Sequence, residues 1–564
     1  MNMPNLINLR QKRWTRDASI LIIFISGALL IHKFLYAPIL YSDDWTQIIA
    51  RNVWGTAQWI DLDNRRPLLF LPFVLLYRIW GLNIHAFYVT LAGLEVISAF
   101  LLYKIIDKLL PDQPVYTGTV ALLFMLYPTT YTHTWLTMIH AYSALVSTLI
   151  YVYLMLIFHE NRQKLILFAS FIFLSISFGL YEAQLGLILL WLLIIFLRNR
   201  GRRSTSTNFV FILSLIWIAV FVSWRLWGQR RLNIPDEYMS FLVMEPTVLV
   251  RRLILGLKIQ LIWGWTTLIS NTFGFGTLHV LLALSLWVFG IIFAPNFFRA
   301  RRIFHSVSIR EANKYVLMGG IGLGAIVAGY IPVIFVFLPN LTSIGSRVNL
   351  FASIGGAILV TSAIKLISLF AFPSRWRQWF FVASILPFLI VSLITHLVVQ
   401  RDARVAWEEQ RNIWQTLITQ VPDLRDQTTV LIVLPDYQDR VGYRNWKRVP
   451  ISAYWDASSA IRLLYNNRTL NADVLYLDIE TATEPTLTAE GLLSKNAKQP
   501  TPYKKTVIAV YKPQRRQFTI LQELPKTMLA NPDILAPNMR LTLCTQCIIH
   551  THSSRERPFK KLIK

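Results

Sequence analysis

The stretch "YSDDWTQ", residues 41–47, sets Asp43 beside Asp44 directly after an apolar run from Ser19 to Leu40. Two adjacent carboxylates repel, so at least one needs a cation, a hydrogen-bond donor or solvent close by. In that place one of them can take a proton from a hydroxyl, and the pair could hold a divalent cation through oxygen ligands. The plainer alternative is a solvated N-cap on a short surface helix, Trp45 to Trp54. Which alternative holds depends on the elements that carry the pair.

Those elements are membrane spans. The chain has 564 residues, 54% hydrophobic and only 15% charged, against about 25% charged in soluble domains. Its apolar runs reach the ~18 residues or more needed to cross a bilayer. Expected spans fall near residues 19–40, 84–106, 115–135, 139–158, 165–183, 185–197, 207–227, 277–294, 315–338, 350–370 and 379–399, about eleven in all. The first follows Lys12, Arg13 and Arg16 without a small-residue cleavage site, and reads as a retained signal-anchor span. Loop cations at Arg10–Arg16, Lys104/Lys108, Arg162/Lys164, Arg198–Arg203, Arg299–Lys314 and Arg375/Arg377 share one side under this count. The positive-inside rule makes that side cytoplasmic, with the amino terminus inside and the carboxy-terminal tail outside. This is the pattern of a multi-pass protein of the plasma (inner) membrane. Residues 247–270 are apolar enough for another span, but a crossing there would invert "RARR", Arg299 to Arg302. Arg251, Arg252 and Lys258 fit instead an interfacial amphipathic helix or a re-entrant pair.

The net charge of +26 then belongs to cytoplasmic loops and anionic headgroups rather than to nucleic acid. Cys544 and Cys547 form one Cys-x-x-Cys pair with no second pair for zinc, so they are a local disulfide or two idle thiols. Gly320 and Gly324 have the Gly-x-x-x-Gly spacing of close helix packing. Two domains are expected: a membrane domain over residues 1–400 with an acidic first outer loop, about 41–83, and an extracytoplasmic α/β domain over 401–564. In the latter, "TTVLIVLPDY" and "ADVLYLDIE" read as strands, "ASSAIRLLYNNR" as a helix, and "KKTVIAVYKPQRRQFTILQEL" as a hairpin.

After the acidic pair come Arg66-Pro67-Leu68, Trp80-Gly81-Leu82 and His85; later come "ALLFMLYPTTYTHTW" with Pro128, "GLYEAQLG" with Glu182, and "GSRVNLFASIGGAI" with Arg347. In this order, over about residues 15–400, the chain resembles the GT-C superfamily of membrane glycosyltransferases, particularly the protein O-mannosyltransferase and TPR-bearing O-mannosyltransferase branches. It departs from them at Ser346, where an acidic residue is usual before the late Arg, and at His140, where an Arg is expected.

The resemblance implies a GT-C-like fold and an inverting transferase that moves a sugar from a polyprenyl-phosphate donor to an acceptor hydroxyl at the outer face. It implies Asp43 or Asp44 as general base, the other positioning the acceptor or a metal. Arg347 is the first candidate for the donor phosphate, against a snorkelling interfacial Arg, followed by Arg66 and by His140 in place of an Arg. Glu182 and Arg225 are further site candidates, and His85 reads as a packing or interface residue. Partners would be the lipid-linked donor, the bilayer and an acceptor that is protein, lipid or polysaccharide. Rival functions are an O-antigen polymerase or ligase and a transporter or flippase of lipid-linked glycans. The first relies on a large outer loop between late spans, the second on internal repeats; here the long loop is early and acidic, and no repeat is evident.

Overall fold

The computed structural model describes residues 3–56, 58–61, 66–111, 113–130, 132–199, 205–231, 243–266, 309–341, 344–434, 450–451, 454–477, 485–494, 497, 499–525, 528 and 541–549. The expected span 277–294 lies outside them. The chain divides into two compact units. Unit 1 comprises Met1–Pro38, Gln58–Thr134 and Met138–Val399; unit 2 comprises Ile39–Ala57, Trp135–Thr137 and Gln400–Lys564. The residues around the acidic pair therefore fold with the carboxy-terminal unit.

The helices of unit 1 follow the apolar runs. In chain order they are α1 (Met3–Ile31), α2 (Leu71–Trp80), α3 (Ile84–Leu109), α4 (Pro114–Met125), α5 (Ile139–Asn161), α6 (Lys164–Leu180), α7 (Leu185–Asn199), α8 (Thr205–Arg231), α9 (Pro246–Lys258), α10 (Ile309–Ile334) and α11 (Asn349–Ala371), with α12 (Ser374–Gln420) running on past Val399. Among the described residues seven helices are long and apolar enough to cross a membrane, and α2, α4, α6 and α7 are apolar but shorter. Ten of the expected spans thus have a helix, with altered ends. The first stops at Ile31, before His32 and Lys33, rather than at Leu40. The third stops at Met125 instead of 135. Its 12 residues rise about 18 Å, short of the ~30 Å hydrocarbon core. Pro128 explains the stop, since it disfavours helical backbone at the residue before it. Residues 247–266 form α9 and a π-helical turn, Ile259–Trp263.

Close packing of α10 on α11 runs through glycines other than the expected pair. A side chain at Gly322 or Gly329 would strike the backbone of α11 near Gly355 and Ala352, whereas Gly320 faces open space and Gly324 faces Leu190. The Gly-x-x-x-Gly reading named the right helix and the wrong face.

Unit 2 carries the expected α/β elements. Strands β1 (Thr429–Leu434), β2 (Asn471–Tyr476), β3 (Thr506–Lys512) and β4 (Gln517–Ile520) form one sheet in the order β2-β1-β3-β4. β1 pairs in parallel with β2 from Thr429↔Asn471 to Leu434↔Tyr476 and with β3 from Thr429↔Thr506 to Val433↔Val510. β3 and β4 make an antiparallel hairpin closed at Lys512↔Gln517. Central β1 is buried at every residue, which is why "TVLIVL" is continuous rather than alternating. Helix α13 (Tyr454–Leu464) supplies the crossover that a parallel β1–β2 pair requires. Leu431, Val433, Leu487, Leu492, Ile508 and Leu524 belong to the core against the sheet. Cys544 and Cys547 are joined in a disulfide.

Candidate functional site

The candidate residues gather in two places, one in each unit. In unit 2 the chain reaches the acidic pair through Tyr41, whose ring stacks on Trp135 at 6.0 Å, and through Ser42, whose φ of 50° is in the left-handed region. A non-glycine residue there costs on the order of 1 kcal/mol and marks a turn held by its surroundings. The next residues wind into a π-helical turn, Asp44–Ala50, followed by Arg51–Val53.

This geometry separates the two aspartates. Asp44 is fully buried. Its Oδ1 accepts the Thr137 N–H at 2.9 Å and the Thr137 hydroxyl at 2.7 Å, and its Oδ2 accepts the Tyr41 N–H at 3.0 Å. Burial pushes its carboxyl up to about 7, with the neighbouring Asp43 adding to the rise and the three donors opposing it. Asp43 is partly exposed at the head of the turn. It makes no side-chain cap bond to the turn that follows, and its Oδ1 accepts the indole N–H of Trp455, on α13, at 2.9 Å. The solvated-cap alternative fails for both: Asp44 is out of solvent and Asp43 does not cap.

The pair does not fit a divalent-cation site either. Asp44 turns its oxygens to N–H and O–H donors, and among the described residues no three His, Cys, Asp or Glu side chains converge as ligands.

In unit 1, Arg66, Glu182, Arg225 and His140 come together. Pro67 and Gly179 explain how. Leu68 donates its N–H to the Gly179 carbonyl at 2.9 Å, and a side chain at Gly179 would strike Leu68. That docking sets Arg66 beside the break between α6 and α7, where Tyr181 is extended and the chain reverses over residues 181–184. Arg66 then makes a bidentate pair with Glu182 at 2.7 and 2.8 Å, and Arg225, near the end of α8, reaches the same carboxylate at 2.9 Å. Burial acts to raise the Glu182 carboxyl, but the two guanidinium groups outweigh it and hold it well below the usual carboxylate range. Arg66 also lies over the Tyr181 ring at 4.4 Å, and the buried His140 ring meets the same tyrosine edge-on at 5.2 Å. Two guanidinium groups thus meet one partly exposed carboxylate.

The other two candidates stand apart. Arg347 sits in the turn Ile344–Val348 with its guanidinium over Phe337 at 5.1 Å and its Nε buried without a protein hydrogen-bond partner. His85 is exposed, and one ring nitrogen meets the Leu35 carbonyl at 2.8 Å, a contact that ties the start of α3 to the chain after α1. The side chains of Arg230 and Arg231 lie outside the described residues.

Sequence reasoning missed two groups. Trp455 and Thr137, which hold the acidic pair, carry no local signal, because nothing near them in the sequence points to residues 43 and 44. The second is a buried polar centre in unit 1: Glu95, within α3, accepts the Tyr142 hydroxyl at 2.6 Å and meets His32 Nε2 at 2.6 Å, and the His133 ring lies 5.7 Å from His32 and 4.6 Å from His396. Here a signal existed, since a carboxylate in the middle of a span is costly without partners.

No family model matches this sequence, and no curated protein matches it. Among solved structures the chain is similar to ArnT from Cupriavidus metallidurans bound to undecaprenyl phosphate, with 11% sequence identity, coverage of 80% of this chain and 89% of that one, and a TM-score of 0.36.

Proposed function

We propose that the protein is an inverting membrane glycosyltransferase of the GT-C type, which transfers a sugar from a polyprenyl-phosphate donor to an acceptor hydroxyl. The observation that carries this reading is the division of labour within the acidic pair. One aspartate is sealed by three donors and fixes the turn, which leaves a partly exposed carboxylate at a rigid position beside it. The order of motifs from Asp43 to Arg347 supports the class, and the two guanidinium groups gathered at Glu182 are consistent with an anionic leaving group.

In this mechanism Asp43 accepts the proton of the acceptor hydroxyl as its oxygen attacks the anomeric carbon. The new glycosidic C–O bond forms while the bond from that carbon to the phosphate oxygen breaks, and the configuration inverts. The proton ends on Asp43 and the electron pair on the departing polyprenyl phosphate. The resemblance assigns the donor phosphate to Arg347, Arg66 and His140, and within unit 1 Arg66 and Arg225 are cations of the kind such an anion needs. Fixed cations at a developing negative charge act without reorganising during the reaction.

The test is Asp43→Asn and Asp44→Asn made separately, with transfer of labelled sugar from polyprenyl-phosphate donors followed in membranes at matched protein level. Asp43→Asn is expected to lose about 10²–10⁴-fold in turnover, the usual share of a general base. Full activity in both variants would overturn the base assignment. A lipid-linked glycan that moves across the bilayer without transfer would point instead to the flippase alternative.

A further inference from the structure

We infer that Trp455, on the α/β domain, is a positioning residue for Asp43, so that this domain completes the base rather than merely following it in the chain. The inference rests on the transferase reading and on Asp43 as its base. Three hydrogen bonds fasten the acidic turn to α13. The Trp455 indole N–H meets Asp43 Oδ1 at 2.9 Å, the Thr46 hydroxyl donates to the Trp455 carbonyl at 3.1 Å, and the Thr46 and Ser459 hydroxyls lie 2.9 Å apart. Trp455 and Ser459 are four residues apart on one helix, so both point to the same side, and the turn lies along that side. Tyr454 braces the indole edge-on at 5.1 Å.

The chemistry of such a contact is specific. An N–H on one carboxylate oxygen fixes the rotation of the group and stabilises its anion, the form that accepts a proton. Asp44 is the neighbouring carboxyl, and Asp456 follows Trp455 on α13. The readout is the displacement of the acid limb of the rate profile when the indole donor is removed.

The experiment compares Trp455→Phe in the full-length protein with an isosteric tryptophan analogue that carries sulfur in place of the ring N–H. The analogue keeps the shape and removes the donor alone, so it reports even where Trp455→Phe fails to fold. Each is expected to lower kcat about tenfold, the scale of one hydrogen bond to a charged group. Each should also move the acid limb of the kcat profile to higher pH and leave KM for the lipid-linked donor unchanged. In an Asp43→Asn background the loss at Trp455 should disappear. Wild-type kcat with an unshifted acid limb in the analogue, alongside an inactive Asp43→Asn, would overturn the inference and leave the transferase reading standing. Full activity in Asp43→Asn would overturn Asp43 as the base and the inference with it, and absence of transfer by the wild-type protein would overturn the transferase reading.

Discussion

Unit 1 holds two carboxylates that the fold treats in opposite ways. Glu95 is enclosed in the middle of α3, with one oxygen on the Tyr142 hydroxyl and the other on His32. Glu182 lies at a chain reversal, partly exposed, between the guanidinium groups of Arg66 and Arg225. The first centre is closed by short bonds from neighbouring helices and has the character of a structural lock. The second is partly exposed and carries two guanidinium groups on one carboxylate. Unit 2 repeats the contrast at adjacent positions, with Asp44 enclosed and Asp43 presented. In both units one carboxylate is enclosed and the other is partly exposed.

The largest expected effect tests the lock. Glu95→Ala strands His32 and Tyr142 without their shared acceptor and should cost about 3–5 kcal/mol, as loss of one partner from a buried pair does. Thermal unfolding in detergent would record a large fall in Tm with little folded protein recovered. An unchanged Tm with lost transfer would reverse the roles assigned to the two centres.

Next comes the pH dependence of Asp44. Its carboxyl rises from 3.8 to about 7 on folding, so the folded state holds the proton more tightly than the unfolded chain. A raised group contributes stability that is complete below the unfolded value and is lost as pH rises through the folded one, up to roughly 4 kcal/mol here. Hydrogen exchange in the Ile39–Ala57 segment should therefore speed up as pH rises from about 4 to 7, after correction for intrinsic exchange. Asp44→Asn should flatten that dependence.

A smaller effect is expected at the open centre. Arg66→Ala removes a bidentate pair and should lower kcat/KM for the lipid-linked donor about 10–100-fold, the range for hydrogen bonds to a charged group. The fold should survive, because Arg225 still faces Glu182. Tm and kcat/KM measured on the same preparation distinguish this from the Glu95 result.

The smallest is Gly179→Ala. The new methyl meets Leu68 and should push the Arg66 segment away from its dock at a cost of about 1–3 kcal/mol. A drop in donor use larger than the drop in stability would support the role of that dock.

The helices were legible because apolar length is a local property, and so were the strands of unit 2, whose runs end at Pro, Asp or Asn. Arg66, Glu182 and His140 were legible through the family resemblance, and Arg225 only as a weaker candidate at a span end. Their convergence was not, since it depends on Gly179 meeting Leu68 across more than a hundred residues of chain. The third span illustrates a signal that was present and underweighted: Pro128 forbade a helix as far as residue 135. The ranking of Asp43 against Asp44 lay beyond any local pattern. "SDDWTQ" fits a solvated cap as well as a buried anchor, and only Thr137 and Trp455 decide between them.

The contact between Asp43 and Trp455 closes a loop of 412 residues. A ribosome adding about 5–20 residues per second needs roughly 20–80 s to travel that distance. During that interval the acidic turn has left the exit tunnel while the helix that fastens it does not yet exist. The chain is thus timed: Asp43 takes up its final setting only after α13 has been made, and a message truncated before α13 yields a protein in which that contact cannot form.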